Sequence, residues 1–224
     1  MPFCNDLKIF FPGYLMNYSK GMVSIKEKSP SAKVNEIVWV NSDFQCIDSC
    51  IVKDLSSFFQ KAQSTDIFKL DCDGIMLFEE NGQKYMFFTE LKSTFDTSDV
   101  YYAKDQIISS YIKINMIMHL LIGYNSADFI VKGFVVCLPP DKNFLRDLYR
   151  KQQLSLSSKF KTEADFTLEL CYERNRKSVM KPLDCDKLKK LPLGNNGIFK
   201  TIEFHYIEVA NGSSSITIDV KKYI

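Results

Sequence analysis

The chain has 224 residues, nearly half of them apolar, and a formal net charge of +2, which suits one folded domain with a sizeable core. So small a charge excludes nucleic-acid binding by bulk electrostatics, and any such surface must come from local patches. The seven cysteines form no Cys-x-x-Cys pair and only two histidines accompany them, which argues against a zinc centre. With no basic-then-apolar leader and no membrane-length apolar run, the expectation is a cytoplasmic protein with reduced thiols and no membrane contact.

Residues 1–30 offer an apolar patch at Ile9-Phe10-Phe11, a Pro12-Gly13 turn and a short strand at Met22–Ile25, but no motif. Glu36–Val40 reads as a second short strand, placed beside the hairpin described next. Ile47, Ile51, Leu55, Phe58, Phe59 and Ala62 recur with helical period and predict a helix packed on the sheet. Asp54 lies in that stripe. Either the helix runs through it and aims its carboxylate at the core side, or Asp54 caps a shorter helix starting at Leu55.

Lys69 to Lys92 organises the rest: two apolar arms joined by Asn81-Gly82, the strongest short hairpin signal. A two-residue turn there sets Glu80 against Gln83, Asp73 against Glu90 and Asp71 against Lys92, with opposed residues roughly 4.5–5.5 Å apart. Alternation puts Asp71, Asp73, Glu90 and Lys92 on one face, and Cys72, Thr89 and Leu91 on the other. Three carboxylates then converge with one amine. Lys92 offsets at most one of them, and a divalent cation would satisfy the rest. Oxygen donors on rigid strands suit Mg²⁺ or Mn²⁺ and hence phosphodiester hydrolysis. In this reading Asp73 and Glu90 bind metal, the Leu91 carbonyl adds a ligand, and Lys92 orients or activates water and offsets developing negative charge. The alternatives are a surface hairpin with alternating charges, or a two-residue slip that makes Asp71 the ligand.

Downstream, Tyr101–Ile122 reads as a long helix buried on several sides, with Asp99 as its cap, Lys104 and Gln106 within it and His119 in its apolar half. Phe129–Leu138 is a buried strand, which completes a crossover onto the hairpin. A helix over Asn143–Phe160 and a strand over Phe166–Tyr172 follow. Residues 174–190 carry seven Lys or Arg against two Asp. Arg174, Arg176 and Lys177 open this segment, which is either a phosphate-binding patch or a solvated loop. Strands at Thr201–Val209 and Ser215–Tyr223 are joined by Asn211-Gly212 as a second hairpin. The expected organisation is an N-terminal extension over 1–45, a core over 46–140, and a C-terminal helix and β-hairpin extension over 141–224.

Asp73-Gly74 followed by Glu90-Leu91-Lys92 on a hairpin, with a helix before it and a helix and strand after it, resembles the PD-(D/E)XK nuclease superfamily. No proline precedes Asp73. The resemblance implies the restriction-endonuclease-like fold, an α/β core with a central mixed sheet flanked by helices, here with a C-terminal β-rich extension. It also implies metal-dependent cleavage of nucleic acid, with Asp73, Glu90 and Lys92 in the motif positions. The family's preceding helix often adds an acid, usually Glu, and Asp54 is the candidate here. Its following helix can carry a Gln with a Tyr four residues on. Tyr111 follows Gln106 by five, so that sub-motif is not met. Gln106 and Lys104 are then candidates for phosphate or water contacts, the alternative for Gln106 being a buried amide that satisfies itself. No helix-turn-helix, finger or Walker-type loop accompanies the motif. The nuclease reading favours DNA over RNA, and the small size and absent motor motifs suggest action alone, as a homodimer, or as one subunit of a defence or repair complex. The family also holds inactive members, so the alternative is a non-catalytic nucleic-acid- or protein-binding protein.

Overall fold

The computed structural model describes residues 3–27, 29–141, 143–171, 176–193 and 201–224. In chain order these form α1 (Phe3–Phe10), β1 (Met16–Ser19), β2 (Met22–Lys26), β3 (Glu36–Val40), β4 (Phe44–Ile47) and α2 (Ser49–Lys61). There follow β5 (Gly74–Glu80), β6 (Gln83–Lys92), α3 (Thr97–Met118), β7 (Phe129–Cys137), α4 (Phe144–Leu154) and α5 (Ser158–Cys171). The last three are β8 (Lys177–Met180), β9 (Ile202–Glu208) and β10 (Ser215–Asp219).

Seven strands make one mixed sheet in the order β1-β4-β5-β6-β7-β9-β8, in which β6, β7 and β9 are mutually parallel and the other pairings antiparallel. A second sheet, β10-β3-β2, pairs β10 parallel and β2 antiparallel to β3. Helical residues such as Leu7, Ile51, Ile107, Tyr111 and Phe166 bury against Ile75, Phe88, Val135 and Phe204 on one face of the large sheet. On the other face Met76, Phe87, Leu91 and Phe134 pack against Ile25, Ile37, Trp39 and Ile218 of the small sheet. The molecule is thus mixed α/β, with a central mixed sheet between a helical layer and a smaller sheet.

The hairpin turn forms as its sequence requires: Asn81 and Gly82 both take positive φ, 51° and 78°, and Glu80 faces Gln83. Other elements depart from the sequence pattern. The strand beside the hairpin is Phe44–Ile47, whereas Glu36–Val40 is the centre of the second sheet, because Ile37 and Trp39 have their own apolar partners there. The helix before the hairpin starts at Ser49 and is capped by Asp48, which accepts the Cys50 N–H; α3 is capped by Asp96, not Asp99. The helix expected over Asn143–Phe160 is two, α4 and α5, and of the strand expected over Phe166–Tyr172, residues 166–171 are the last turns of α5 while Tyr172 lies outside the described residues. Phe166 and Leu170 join the main core while Ala164 and Leu168 pack toward α4, and a helix buried on two sides mimics strand alternation. The strands on either side of Asn211-Gly212 do not form a hairpin: β9 lies beside β7 in the large sheet and β10 beside β3 in the small one. All seven cysteines are free thiols, and no described helix is long and apolar enough to cross a membrane.

Candidate active site

The hairpin ladder runs in register from Glu80↔Gln83 to Gly74↔Thr89 and then gains a residue. The Asp73 N–H also bonds the Thr89 carbonyl, at 3.1 Å, so Asp73 and Gly74 face one partner, as in a β-bulge. The extra residue resets the alternation, and Cys72 falls on the helix side together with Ile75 and Leu77. Asp73 therefore does not sit opposite Glu90 as a ladder pair. Its carboxylate reaches past the ladder, and Oδ2 accepts the Leu91 N–H at 2.9 Å. Asp71 is likewise not paired with Lys92; its carbonyl is held by Gln106 Nε2 at 2.8 Å. Gly74 suits the bulge for a second reason. A Cβ there would lie 2.4–2.6 Å from the side chain of Ile25, so only glycine lets the small sheet approach.

Glu90 and Lys92 alternate onto the helix side of β6 and share one network. Lys92 Nζ donates to Glu90 Oε1 at 2.7 Å and to Gln106 Oε1 at 2.6 Å, and lies 5.3 Å from the centre of the exposed Tyr102 ring. Gln106 is therefore fully engaged, with one end on Lys92 and the other on the Asp71 carbonyl. Glu90 is only 3% exposed, and its Oε2 has no hydrogen-bond partner among the described residues. Burial, then repulsion from Asp73, pushes the Glu90 carboxyl up to about 8 against the opposing pull of Lys92. Burial also pushes Asp73 up to about 6; the Leu91 N–H lowers it, Glu27 raises it, and Lys53 and Lys92 lower it.

These donors fit a hard cation that keeps open positions. Glu90 Oε2 is an unsatisfied buried acceptor, and Asp73 commits one oxygen to Leu91. A strand residue points its N–H and C=O to the same side, so the Leu91 carbonyl opens toward the Asp73 edge. Two carboxylates and a carbonyl, completed by water or phosphate oxygens, is a donor set that Mg²⁺ or Mn²⁺ accepts. Among the described residues no group of three or more His, Cys, Asp or Glu side chains is arranged to hold an ion, so a closed protein cage is absent there.

The remaining candidates lie elsewhere. Asp54 is exposed, neither caps α2 nor faces the core, and accepts the Tyr14 hydroxyl at 2.7 Å. Its neighbour Lys53 is the α2 residue whose charge acts on Asp73. Lys104 is wholly buried, with Nζ 3.0 Å from Asp105 Oδ1 and 3.6 Å from the Tyr101 ring centre, so it presents no amine to a phosphate. Arg174 lies outside the described residues. Arg176 is exposed, whereas Lys177 is held by Glu203 at 2.8 Å. Lys187 and Lys189 of the same basic segment also pair with acids, Asp105 and Asp186, each at 2.8 Å. Glu27, just beyond β2, was not singled out by its sequence. It comes within electrostatic range of both Asp73 and Glu90 because β2 packs across Gly74, a contact no local pattern announces.

Size does not mark the site. A cleft of about 750 Å³ is lined by Tyr101, Tyr102, Asp105, Glu163 and Lys187, whereas Asp73 lines a smaller one of about 310 Å³ with Ser24, Lys26, Asp48 and Ser49. Glu90, Lys92 and Gln106 line neither. No family model, curated protein or solved structure matches the chain.

Proposed function

We propose that this protein is a metal-dependent nuclease of the restriction-endonuclease-like type, hydrolysing phosphodiester bonds in nucleic acid, with DNA preferred to RNA. The observation that carries the reading is the convergence of Asp73, Glu90 and Lys92 at one end of the hairpin, with a buried Glu90 oxygen that has no hydrogen-bond partner among the described residues. The order hairpin, α3, parallel β7 supports the same fold type.

Asp73 and Glu90 would hold Mg²⁺ or Mn²⁺, with the Leu91 carbonyl beside them. When bound, the ion would supply Lewis-acid polarisation of the phosphate and a lowered water pKa. Lys92 has three donors, of which two are fixed by Glu90 and Gln106; the third is left to orient water or a phosphate oxygen. Its positive charge offsets charge developing on the phosphate oxygens. Gln106 holds the amine in place and ties it to the segment that carries Asp73.

The test is cleavage of plasmid, single-stranded DNA and RNA by purified protein with Mn²⁺, Mg²⁺ or EDTA, beside Asp73→Ala and Lys92→Ala. Metal-dependent cutting that both folded variants lose supports the proposal. Absence of both cutting and Mn²⁺ binding would replace it with the non-catalytic binding protein, a reading favoured by the engagement of Asp54, the acid of α2, with Tyr14.

A further inference from the structure

Leu70–Cys72 runs just ahead of the bulge and belongs to no ladder, so its backbone groups need partners from elsewhere. One stripe of α3 supplies them. Gln106, Ser109, Ser110 and Lys113 stand at i, i+3, i+4 and i+7, a single helical face. Ser109 Oγ donates to the Leu70 carbonyl at 2.8 Å, Gln106 Nε2 to the Asp71 carbonyl at 2.8 Å, and Ser110 Oγ accepts the Cys72 N–H at 2.8 Å. Lys113 Nζ donates to the Leu70 carbonyl and, at 2.6 Å, to Ser56 Oγ of α2. Ser56, whose hydroxyl also reaches the Val52 carbonyl of its own helix at 2.9 Å, lies 3.2 Å from the Leu70 carbonyl, so both helices meet at that one oxygen through Lys113 and Ser56.

Ser109, Ser110 and Lys113 are fully buried. Lys113 is the anomaly. Its ammonium sits in the core bonded to a carbonyl and a hydroxyl, and among the described residues no carboxylate forms a salt bridge with it. Burial accordingly pushes its pKa down to about 8 against the pull of Asp71. A buried charge of this kind is a poor way to add stability, since an apolar side chain of similar length often serves as well or better. What it does provide is geometry. The bulge takes Asp73 out of the regular pairing, so the position of its carboxylate is set by its bonds to Thr89 and Leu91 of β6 together with the residues immediately before it.

We propose that Ser110 and Lys113 are positioning residues, which clamp Leu70–Cys72 against α3 and α2 and thereby place the Asp73 carboxylate for a divalent cation. The proposal rests on the metal-site reading above. Neither residue touches the ion or the substrate; each acts through the backbone that carries Asp73.

The experiment is calorimetric titration of Mn²⁺ into wild type, Lys113→Met, Ser110→Ala and each of these combined with Asp73→Asn, with urea unfolding in EDTA alongside. Expected is a loss of about tenfold or more in Mn²⁺ affinity for Lys113→Met, on the scale seen when residues supporting metal ligands are removed. Its unfolding midpoint should be unchanged or higher, and no further loss should appear in the Asp73→Asn background. Ser110→Ala should weaken Mn²⁺ in the same direction, and it carries the test should Lys113→Met fail to fold. Folded variants that bind Mn²⁺ as wild type does, or whose loss of affinity tracks a loss of stability, would overturn the clamp while leaving the metal site standing. Wild type that binds no Mn²⁺ would overturn the metal site and the clamp with it.

Discussion

Asp73 accepts the Leu91 N–H at 2.9 Å, which ties the acid of one hairpin arm to the residue between Glu90 and Lys92 on the other. An asparagine can accept the same bond through its amide oxygen. Asp73→Asn should therefore fold normally, with an unfolding midpoint equal to or above wild type, while Mn²⁺ affinity falls by more than about tenfold and metal-dependent cleavage is lost. Asp54→Asn, exposed and bonded to Tyr14, should change neither. Titration calorimetry and plasmid nicking on both variants check the contrast.

The pH dependence of the metal-free protein follows from the same acids. Burial first, and mutual repulsion for Glu90, raise their folded pKa values to about 6 for Asp73 and about 8 for Glu90. Unfolded carboxylates titrate near pH ~4, so between there and the folded values the native chain binds more protons than the unfolded one. The stability these groups confer is thus fully present below the unfolded pKa and is lost as pH rises through about 6 and then about 8. Urea unfolding in EDTA should show a lower midpoint at about pH 9 than at about pH 5, and Glu90→Gln should remove most of the decline, on the order of a few kcal/mol. A midpoint independent of Glu90 across that range would contradict the assignment.

Gly74 has no room for a side chain. Gly74→Ala would drive its Cβ into Ile25 and should destabilise the fold by about 1–3 kcal/mol, the usual cost of overpacking. In an Ile25→Ala background the same substitution should cost markedly less. A double-mutant cycle by urea denaturation reads this coupling directly.

Lys104 separates a structural lysine from a nucleic-acid contact. Its ammonium is enclosed by Asp105 and the Tyr101 ring, and Asp105 also holds Lys187 at 2.8 Å. Lys104→Ala leaves a buried carboxylate short of one partner and should cost about 3–5 kcal/mol. Any binding defect should then vanish at temperatures where the variant is folded. Thermal unfolding and DNA-binding titrations, run on the same sample, decide between the two roles.

The hairpin turn was legible because Asn81-Gly82 fixes it by local chemistry alone, and counting outward holds as far as Gly74 opposite Thr89. The bulge at Asp73 was not, since it arises where the ladder ends and the clamp from α3 begins. That clamp was hidden in plain view: Ser109, Ser110 and Lys113 interrupt an apolar helix at helical spacing, but polarity inside such a stretch reads as noise until the segment it grips is known. Asp54 misled because periodicity locates a face only to within a residue. The helix turns Asp54 toward Tyr14, and the α2 charge that acts on Asp73 is that of Lys53. Lys104 misled because a basic residue near a motif suggests phosphate, whereas Asp105 and Cys185 had already enclosed it.

The pairing of β10 with β3 joins residues from the two ends of the chain: Ser215 meets Glu36 and Asp219 meets Val40. During synthesis the hairpin, α3 and β7 precede β10, so the acids can come together before the second layer is complete. The small sheet must wait for its last strand, and closing so long a loop is the slow, entropically demanding kind of step. Until then Trp39 and the rings of Phe87 and Phe134 against which it packs lack the cover of the C-terminal segment, whose Tyr223 stacks edge-on against both Trp39 and Phe134. Without β10 and Tyr223 that aromatic sheet face would therefore stay open to misassociation, and docking of this segment would seal it.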